Sequence, residues 1–307
     1  MPPSHKSRFG NAKKWFITAP NPIRIDQLLI QHMGHLDNPL LPLQSGGVWL
    51  DKARISDGSH LLQKGQTLVV YTATTQGEQY VLPDHAILYQ TVDWIAVYKP
   101  PALSIGSDRS NEHYNLTFGV SQWLKRQGLS YSPTPITRLD FMVNGLTLYA
   151  TNKQAEKELF SLTRERKIGK LYLARLDPVP NPIPYLRIRD TLGFTSKACV
   201  DKEGKPAHSL FRLREKHPTY DLYSVVILTG RRHQIRFHAS AYLSPIIGDD
   251  WYGSKTKTKS SLLGLTAIGY SIPYKGRRIR LRLKDLRAYE SPVGDKEDAP
   301  LLGQKTV

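Results

Sequence analysis

The chain has 307 residues and carries 43 Lys and Arg against 26 Asp and Glu, a net charge of +17 at pH 7. The excess is spread along the chain, which points to a polyanionic partner; nucleic acid fits best, because neutralising phosphates releases condensed counterions whatever the base sequence, though charge alone also suits a basic protein with no such partner. The single cysteine, Cys199, excludes an internal disulfide framework and a Cys-rich zinc site and suits a reducing cytoplasm, and no apolar run reaches the roughly 18 residues of a membrane span.

The opening MPPSHKSRFGNAKKWF is basic and has no apolar core of signal-peptide length behind it, so it reads as an arm on a soluble protein. In RIDQLLIQHM, residues Ile25, Leu28, Leu29 and Met33 fall at helical spacing. After a Pro/Gly-containing stretch to Gly47, VWLDKARISDGSHLLQKGQTLVVYT reads as short strands, with a turn at Lys64-Gly65 before a strand from Thr67 to Tyr71. This first unit is expected to span residues 1–80. A second, residues 82–290, opens with AILYQTVDWIAVYKPP, two apolar β-type runs of which Pro100-Pro101 ends the second. LTLYATN is a strand, and KQAEKELFSLTRERK a helix with Ala155, Leu159 and Leu162 on one face. KLYLARL and YDLYSVVILTG are strands. Gly230 ends the latter before RRHQIRFHASAYL, where Ile235, His238, Ala239 and Tyr242 form a helical stripe. The last strands lie in LTAIGYSIPYKGRRIRLRL, and residues 291–307 are a polar, Pro/Gly-rich tail. Strands outnumber helices without alternating with them, which predicts an α+β fold with a mixed, mainly antiparallel sheet.

Chemistry concentrates in TPITRLDFMVNGL, which places one carboxylate, Asp140, near Arg138 in a turn between strand-like segments. An Asp in a turn often does no more than cap its own backbone. Its company suggests more: TGRRHQIRFH supplies Arg231, Arg232 and Arg236 around a helix start, and a guanidinium beside a carboxylate holds it ionised and oriented. These arginines also suit phosphate contacts or a solvated helix face. Arg236 follows Ile235 on a half-buried face and so needs a partner. His233 and His238 lack the i, i+4 spacing of a zinc pair and read as structural; no metal is expected. There is no P-loop, no GxGxxG after a strand and no local signature of a Ser-His-Asp set.

Taken together, these segments resemble the RluA-type pseudouridine synthases, which isomerise uridine in structured RNA. DWIAVYKPPAL is similar to the family's entry strand and Lys-Pro turn, with Ala102 and Leu103 following a doubled proline where Pro-Ala-Gly is usual. TRLDFMVNGLTLYATN resembles its His-Arg-Leu-Asp-x-x-Thr-Ser-Gly-Leu loop, KLYLARL its Lys-x-Tyr and EGKPAHS its Gly-Lys-x-Ala strand. GRRHQIRFH resembles Gly-Arg-x-His-Gln-Ile-Arg-x-His, and SPIIGDDWYG resembles His-Pro-Ile-x-Gly-Asp-x-x-Tyr-Gly. The motifs follow one another in the family's order.

The resemblance implies that Asp140 is the catalytic carboxylate, Arg236 its ion-pair partner and Tyr172 the ring that packs on the target base. Arg138 would help hold the opened helix, Leu265 would wall the other face of the base, and Lys170 and Arg231 would contact substrate. It implies no cofactor and no metal, an RNA partner (ribosomal or transfer), a cytoplasmic monomer and no membrane. Thr137 stands where the family has His, and Val143-Asn144 where it has Thr-Ser; these departures bear on loop hydrogen bonding and substrate choice. They also favour the alternative of an inactive RNA-binding assembly or folding factor on the same fold. The first unit is similar to a small ribosomal-protein-type RNA-binding module whose second helix is replaced by NPLLPLQSGG. With the KGRRIRLRLKDLR stretch, Lys275 to Arg287, it is expected to supply nonspecific grip on RNA.

Overall fold

The computed structural model describes residues 12–73, 75–258 and 262–283. The start of the N-terminal arm, residues 284–287 of the basic stretch and the 291–307 tail lie outside the described residues. The chain divides into two compact units, Met1–Leu82 with Ser104–Leu129, and Pro83–Leu103 with Ser130–Val307.

The first unit contains β1 (Lys13–Thr18), β2 (Ile23–Arg24), α1 (Ile25–Met33), α2 (Leu41–Gln44), β3 (Val48–Leu50), β4 (Ala53–Arg54), β5 (Leu61–Leu62) and β6 (Thr67–Thr72). Its main sheet has the order β1-β6-β3-β4. The helical spacing in α1 has its expected consequence: Ile25, Leu28, Leu29 and Met33 are buried against Ile17, Val48, Leu68 and Val70 on one sheet face. Where a second helix is usual, α2 is a single turn started by Pro42.

Residues 104–129, assigned to the second unit on sequence grounds, pack with the first. The reason lies in buried polar groups. The Asn111 side chain donates to the carbonyls of Thr75 and Glu78 and accepts from the amides of His113 and Tyr114. Close behind, α3 (Leu116–Arg126) is capped by Asn115, whose side chain accepts from Phe118 N at 2.9 Å, and Gly119 lets its backbone approach Tyr80.

The second unit holds β7 (Ile87–Gln90), β8 (Trp94–Lys99), β9 (Thr134–Pro135), β10 (Asn144–Ala150), α4 (Lys153–Arg164), β11 (Gly169–Leu176), β12 (Tyr185–Phe194), β13 (Ala198–Val200), β14 (Lys205–His217), β15 (Tyr220–Ile227), α5 (Gln234–Tyr242), β16 (Leu265–Tyr274) and β17 (Arg277–Arg282). Its sheet runs β13-β12-β14-β15-β11-β16-β10-β8-β7, with β17 on β16 and β9 on β10. The pairs are antiparallel except β10 with β16, which is parallel over two positions, Asn144 opposite Thr266 and Gly145 opposite Ala267. The fold is therefore α+β with a mixed, mainly antiparallel sheet.

Strand alternation sorts side chains onto two cores. In β11, Tyr172 and Ala174 join the cluster under α5, with Ile235 and Ala239 of that helix, whereas Leu171 and Leu173 face the cluster under α4, with Ala155 and Leu159. The α5 stripe holds for Ile235, His238 and Ala239. Tyr242 instead lies 40% exposed, its hydroxyl donating to Asp190 at 2.8 Å.

Candidate active site

Asp140 sits in the loop between β9 and β10, pinned on both sides by buried neighbours. Leu139 and Val143 enter the core under α5, and the Val143 amide closes a turn onto the Asp140 carbonyl at 3.0 Å. Below, the buried Lys99 ammonium donates to the carbonyls of Pro100 and Leu103, both at 2.8 Å, and of Phe141 at 3.1 Å. Burial pushes this lysine down to about 7, against the pull of the Asp140 charge. Its three carbonyl partners call for three donors, which only the ammonium has. Ala102, after the doubled proline, takes a left-handed φ of 57°, a conformation that favours glycine.

The departures from the family loop are accommodated. Thr137 is buried, and its hydroxyl oxygen accepts from Leu148 N at 3.0 Å and from the Tyr270 hydroxyl at 2.9 Å. Val143 is core. Asn144 accepts from the Thr266 hydroxyl at 2.8 Å and donates to that of Tyr98 at 3.3 Å.

Opposite the loop, Gln234 locks the turn into α5. Its oxygen accepts from the Thr229 hydroxyl and the Arg231 amide, and its nitrogen donates to His208 O and Ser209 Oγ. That turn places Arg236 with one edge on Asp249, Nε to Oδ2 at 2.7 Å and Nη2 to Oδ1 at 2.8 Å, and Nη1 3.4 Å from Asp140 Oδ2. The tight partner of Arg236 is thus Asp249, almost wholly buried, and the reach to Asp140 is the longer one. The Tyr252 ring covers the guanidinium face at 5.0 Å. Despite burial, the two carboxylates raise the Arg236 pKa, so it stays a cation.

His233 Nε2 is 3.8 Å from the same Asp140 oxygen, and its Nδ1 meets the Tyr252 hydroxyl at 3.1 Å. Burial lowers its pKa to about 4, so it is neutral at ordinary pH. His238 Nδ1 lies 2.8 Å from Ser209 Oγ and its Nε2 3.6 Å from Asp190. This Ser-His-Asp alignment is no hydrolytic triad: Ser209 and His238 are sealed in the core, where no substrate reaches the hydroxyl.

These elements line a cleft that opens to solvent. Asp140, Arg236, Tyr172, Arg138, Leu265 and Arg231 all line it, with His233 and Gln234 beside them. Lys170, expected at the substrate, is instead buried; its ammonium points to the Thr229 carbonyl at 3.4 Å, and burial lowers its pKa to about 8. Burial raises the Tyr172 phenol well above its ordinary value, which keeps it protonated. The cleft therefore combines one carboxylate with three arginines and an aromatic–aliphatic pair, Tyr172 and Leu265, a set suited to an uncharged ring attached to a phosphodiester chain.

Sequence reasoning missed Asp249 and Lys99 as parts of this constellation. The signals were present, in GDDWYG and in YKPP, but nothing local says what either side chain touches. Among the described residues no cluster of three or more His, Cys, Asp or Glu could hold a metal ion, and no helix is long and apolar enough to cross a membrane.

The model of the RNA pseudouridylate synthase family matches residues 93–241, which span the Asp140 loop and most of α5. The ribosomal large subunit pseudouridine synthase C of Buchnera aphidicola (Schizaphis graminum) is 26% identical over 247 residues, 75% of each chain. The dual-specificity RNA pseudouridine synthase RluA of Escherichia coli is 33% identical over 174 residues, 55% of this chain and 77% of that one. Human RNA pseudouridylate synthase domain containing 4 superposes with a TM-score of 0.53 at 20% identity, over 66% of this chain and 90% of that one, which shows a shared fold. Taken with the ordered motifs and the cleft they build, these matches establish that the chain belongs to the RluA-type RNA pseudouridine synthases.

Proposed function

We propose that Asp140 is the carboxylate that starts the isomerisation, in structured ribosomal or transfer RNA. The reaction breaks the N1–C1′ bond of uridine, turns the ring over and joins C5 to C1′; N1 gains a proton and C5 loses one, so nothing is added and no redox partner is needed. A carboxylate can begin this by attack on the sugar or by removing a proton from it, and in either case must be ionised. The observation that carries the reading is the placement of Asp140 Oδ2 3.4 Å from Arg236 Nη1, at the edge of a cleft walled by Tyr172 and Leu265.

In this reading Tyr172 and Leu265 hold the detached uracil between them, so that it turns without escaping, and Arg138 and Arg231 take phosphates or fill the gap the base leaves. Lys170 acts from beneath the cleft, through the Thr229–Gly230 turn. The ribosomal large subunit relative supports ribosomal RNA as a substrate class.

The test is Asp140→Asn, which keeps the shape and removes the charge. Single-turnover pseudouridine formation on cellular RNA should vanish while affinity changes little; formation near the wild-type rate would falsify the assignment. Mapping pseudouridines in RNA from cells with and without the protein identifies the RNA class.

A further inference from the structure

We propose that the solvent face of the first unit's sheet is a stacking platform for unpaired RNA bases. Strand pairing defines the face: Phe16 lies opposite Val69, Val69 opposite Trp49, and Trp49 opposite Arg54, so these side chains form one row across all four strands. Lys14 and Tyr71 pair in the adjacent row, where Tyr71 is buried beside Arg109, so that Phe16 and the partly exposed Trp49 are the rings open to a base. The other face carries Ile17, Leu68, Val70 and Val48 into the core, so this row is the one turned outward. Phe16 is 56% exposed, an unusual position for a phenylalanine in mid-strand.

Each ring of this face has a cation on it. Lys14 Nζ lies 4.3 Å from the Phe16 centroid, and the Arg54 guanidinium 4.8 Å from Trp49. Arg109 lies 5.8 Å from the Tyr71 ring and donates to its hydroxyl at 2.9 Å. The Trp49 indole donates to the Arg109 carbonyl at 2.9 Å, which fixes ring and arginine together. One acid approaches, Glu112, 3.9 Å from Arg54 and half-exposed. By contrast α1, IDQLLIQHM, and α2, LPLQ, carry no Lys or Arg, and Arg24 before α1 is held by Asp26. A phosphate-gripping role here therefore belongs to the sheet and not to α1 or α2, and the other helix of the unit, α3, carries Lys125 and Arg126 only in its last turn.

Charge and shape together select the occupant. Rings interleaved with cations suit a polyanion whose bases offer flat faces, and stacking on aromatics tolerates any base. A duplex hides those faces in its own stack, so the platform should prefer unpaired stretches. The inference rests on RNA being the substrate, but its test reads binding alone.

The experiment uses the full chain and measures anisotropy of a labelled oligouridylate and of an RNA duplex of equal charge. Phe16→Ala should weaken oligouridylate binding about tenfold, the scale of one lost base–aromatic stack, and leave duplex binding within about twofold. Phe16→Tyr, which keeps a ring, should bind as wild type, as should Lys125→Ala, which removes an exposed cation elsewhere in the unit. Wild-type binding of oligouridylate by Phe16→Ala, as a protein-docking face would give, overturns the proposal. Equal loss for both RNAs overturns it too. Neither result bears on catalysis, which Asp140→Asn tests separately, and turnover by Phe16→Ala at saturating RNA should be unchanged.

Discussion

Replacing Asp249 by Asn should separate the aiming of Arg236 from its charge. The substitution turns two hydrogen bonds to a carboxylate, at 2.7 and 2.8 Å, into one bond to an uncharged amide oxygen and one contact between donors. Asp249 is 2% exposed, so the pair it breaks is buried, and breaking such a pair costs about 3–5 kcal/mol; Asn keeps one acceptor and belongs at the low end. The effect on chemistry follows from distance. Arg236 Nη1 stands 3.4 Å from Asp140 Oδ2, where two unit charges attract by about 5 kcal/mol at an effective dielectric of about 20. Drift to about 5 Å would forfeit about 1.6 kcal/mol of that, or roughly fifteenfold in rate if Arg236 acts through Asp140. Thermal unfolding and single-turnover kinetics of Asp249→Asn, compared with Asp249→Glu, give both quantities. The aiming role predicts a slower rate at saturating RNA with unchanged affinity and partial recovery in Glu. A destabilised variant that turns over at the wild-type rate would show that Asp249 supports the fold alone.

Three further outcomes are expected. Tyr172→Phe should fold and keep most of the turnover, because a ring that stacks does not need its hydroxyl; a hundredfold loss in single-turnover rate would make the phenol a chemical participant. Gly145→Ala should cost at least about 3 kcal/mol in urea unfolding, because Gly145 has a φ of 117° and a methyl there meets the Ala267 backbone, with its amide nitrogen 2.6 Å away; wild-type stability would mean that β10 and β16 separate freely. Buried His233 and His238 have pKa values lowered from 6.5 to about 4, so the unfolded chain takes up protons first as pH falls, and stability present above 6.5 is lost between there and about 4. By pH 5 each should have lost about 2 kcal/mol, and His238→Gln should flatten the decline in urea midpoint; an unchanged slope contradicts the linkage. The neutral state of His233 also means that it contributes no inflection near pH 6.5 to the rate profile.

Much of this was legible in the sequence where the information is local. The buried faces of α1 and α4, and Ile235 to Ala239 in α5, follow from spacing, and the alternation in KLYLARL separates Tyr172 from Leu171. The ordered motifs brought Asp140, Arg236, Tyr172 and Leu265 to one cleft. The contacts that escaped are between residues distant in sequence. Arg236 called for a buried partner, but only the fold shows that Asp249 takes its stronger edge and that Asp140 receives what remains. Lys170 belongs to a recognisable motif, yet its register in β11 sends it behind Gly230. Residues 104–129 look contiguous with the strands on either side of them, and only the fold shows the bonds, those of Asn111 and Arg109 among them, that attach them to the first unit. YLRIRDTLGF, with charged residues along one face, hid the strand β12 behind a polar composition.

The order of strands in the second unit has a consequence for biosynthesis. β16 lies between β11 on one edge and β10 with β17 on the other, so a strand made after both of the halves it joins is the seam of the sheet. Until it emerges from the ribosome, the half that holds the Asp140 loop and the half that holds Tyr172 and Arg236 have no shared strand to align them. Its contact with β10 is two residue pairs long and joins positions more than a hundred apart in sequence, a costly loop to close and a late step in folding. A nascent chain therefore acquires its helices and hairpins early but no assembled cleft. Such a protein, basic enough to hold RNA while still being made, gains the ability to break a glycosidic bond only once β16 has been made and has joined the two halves.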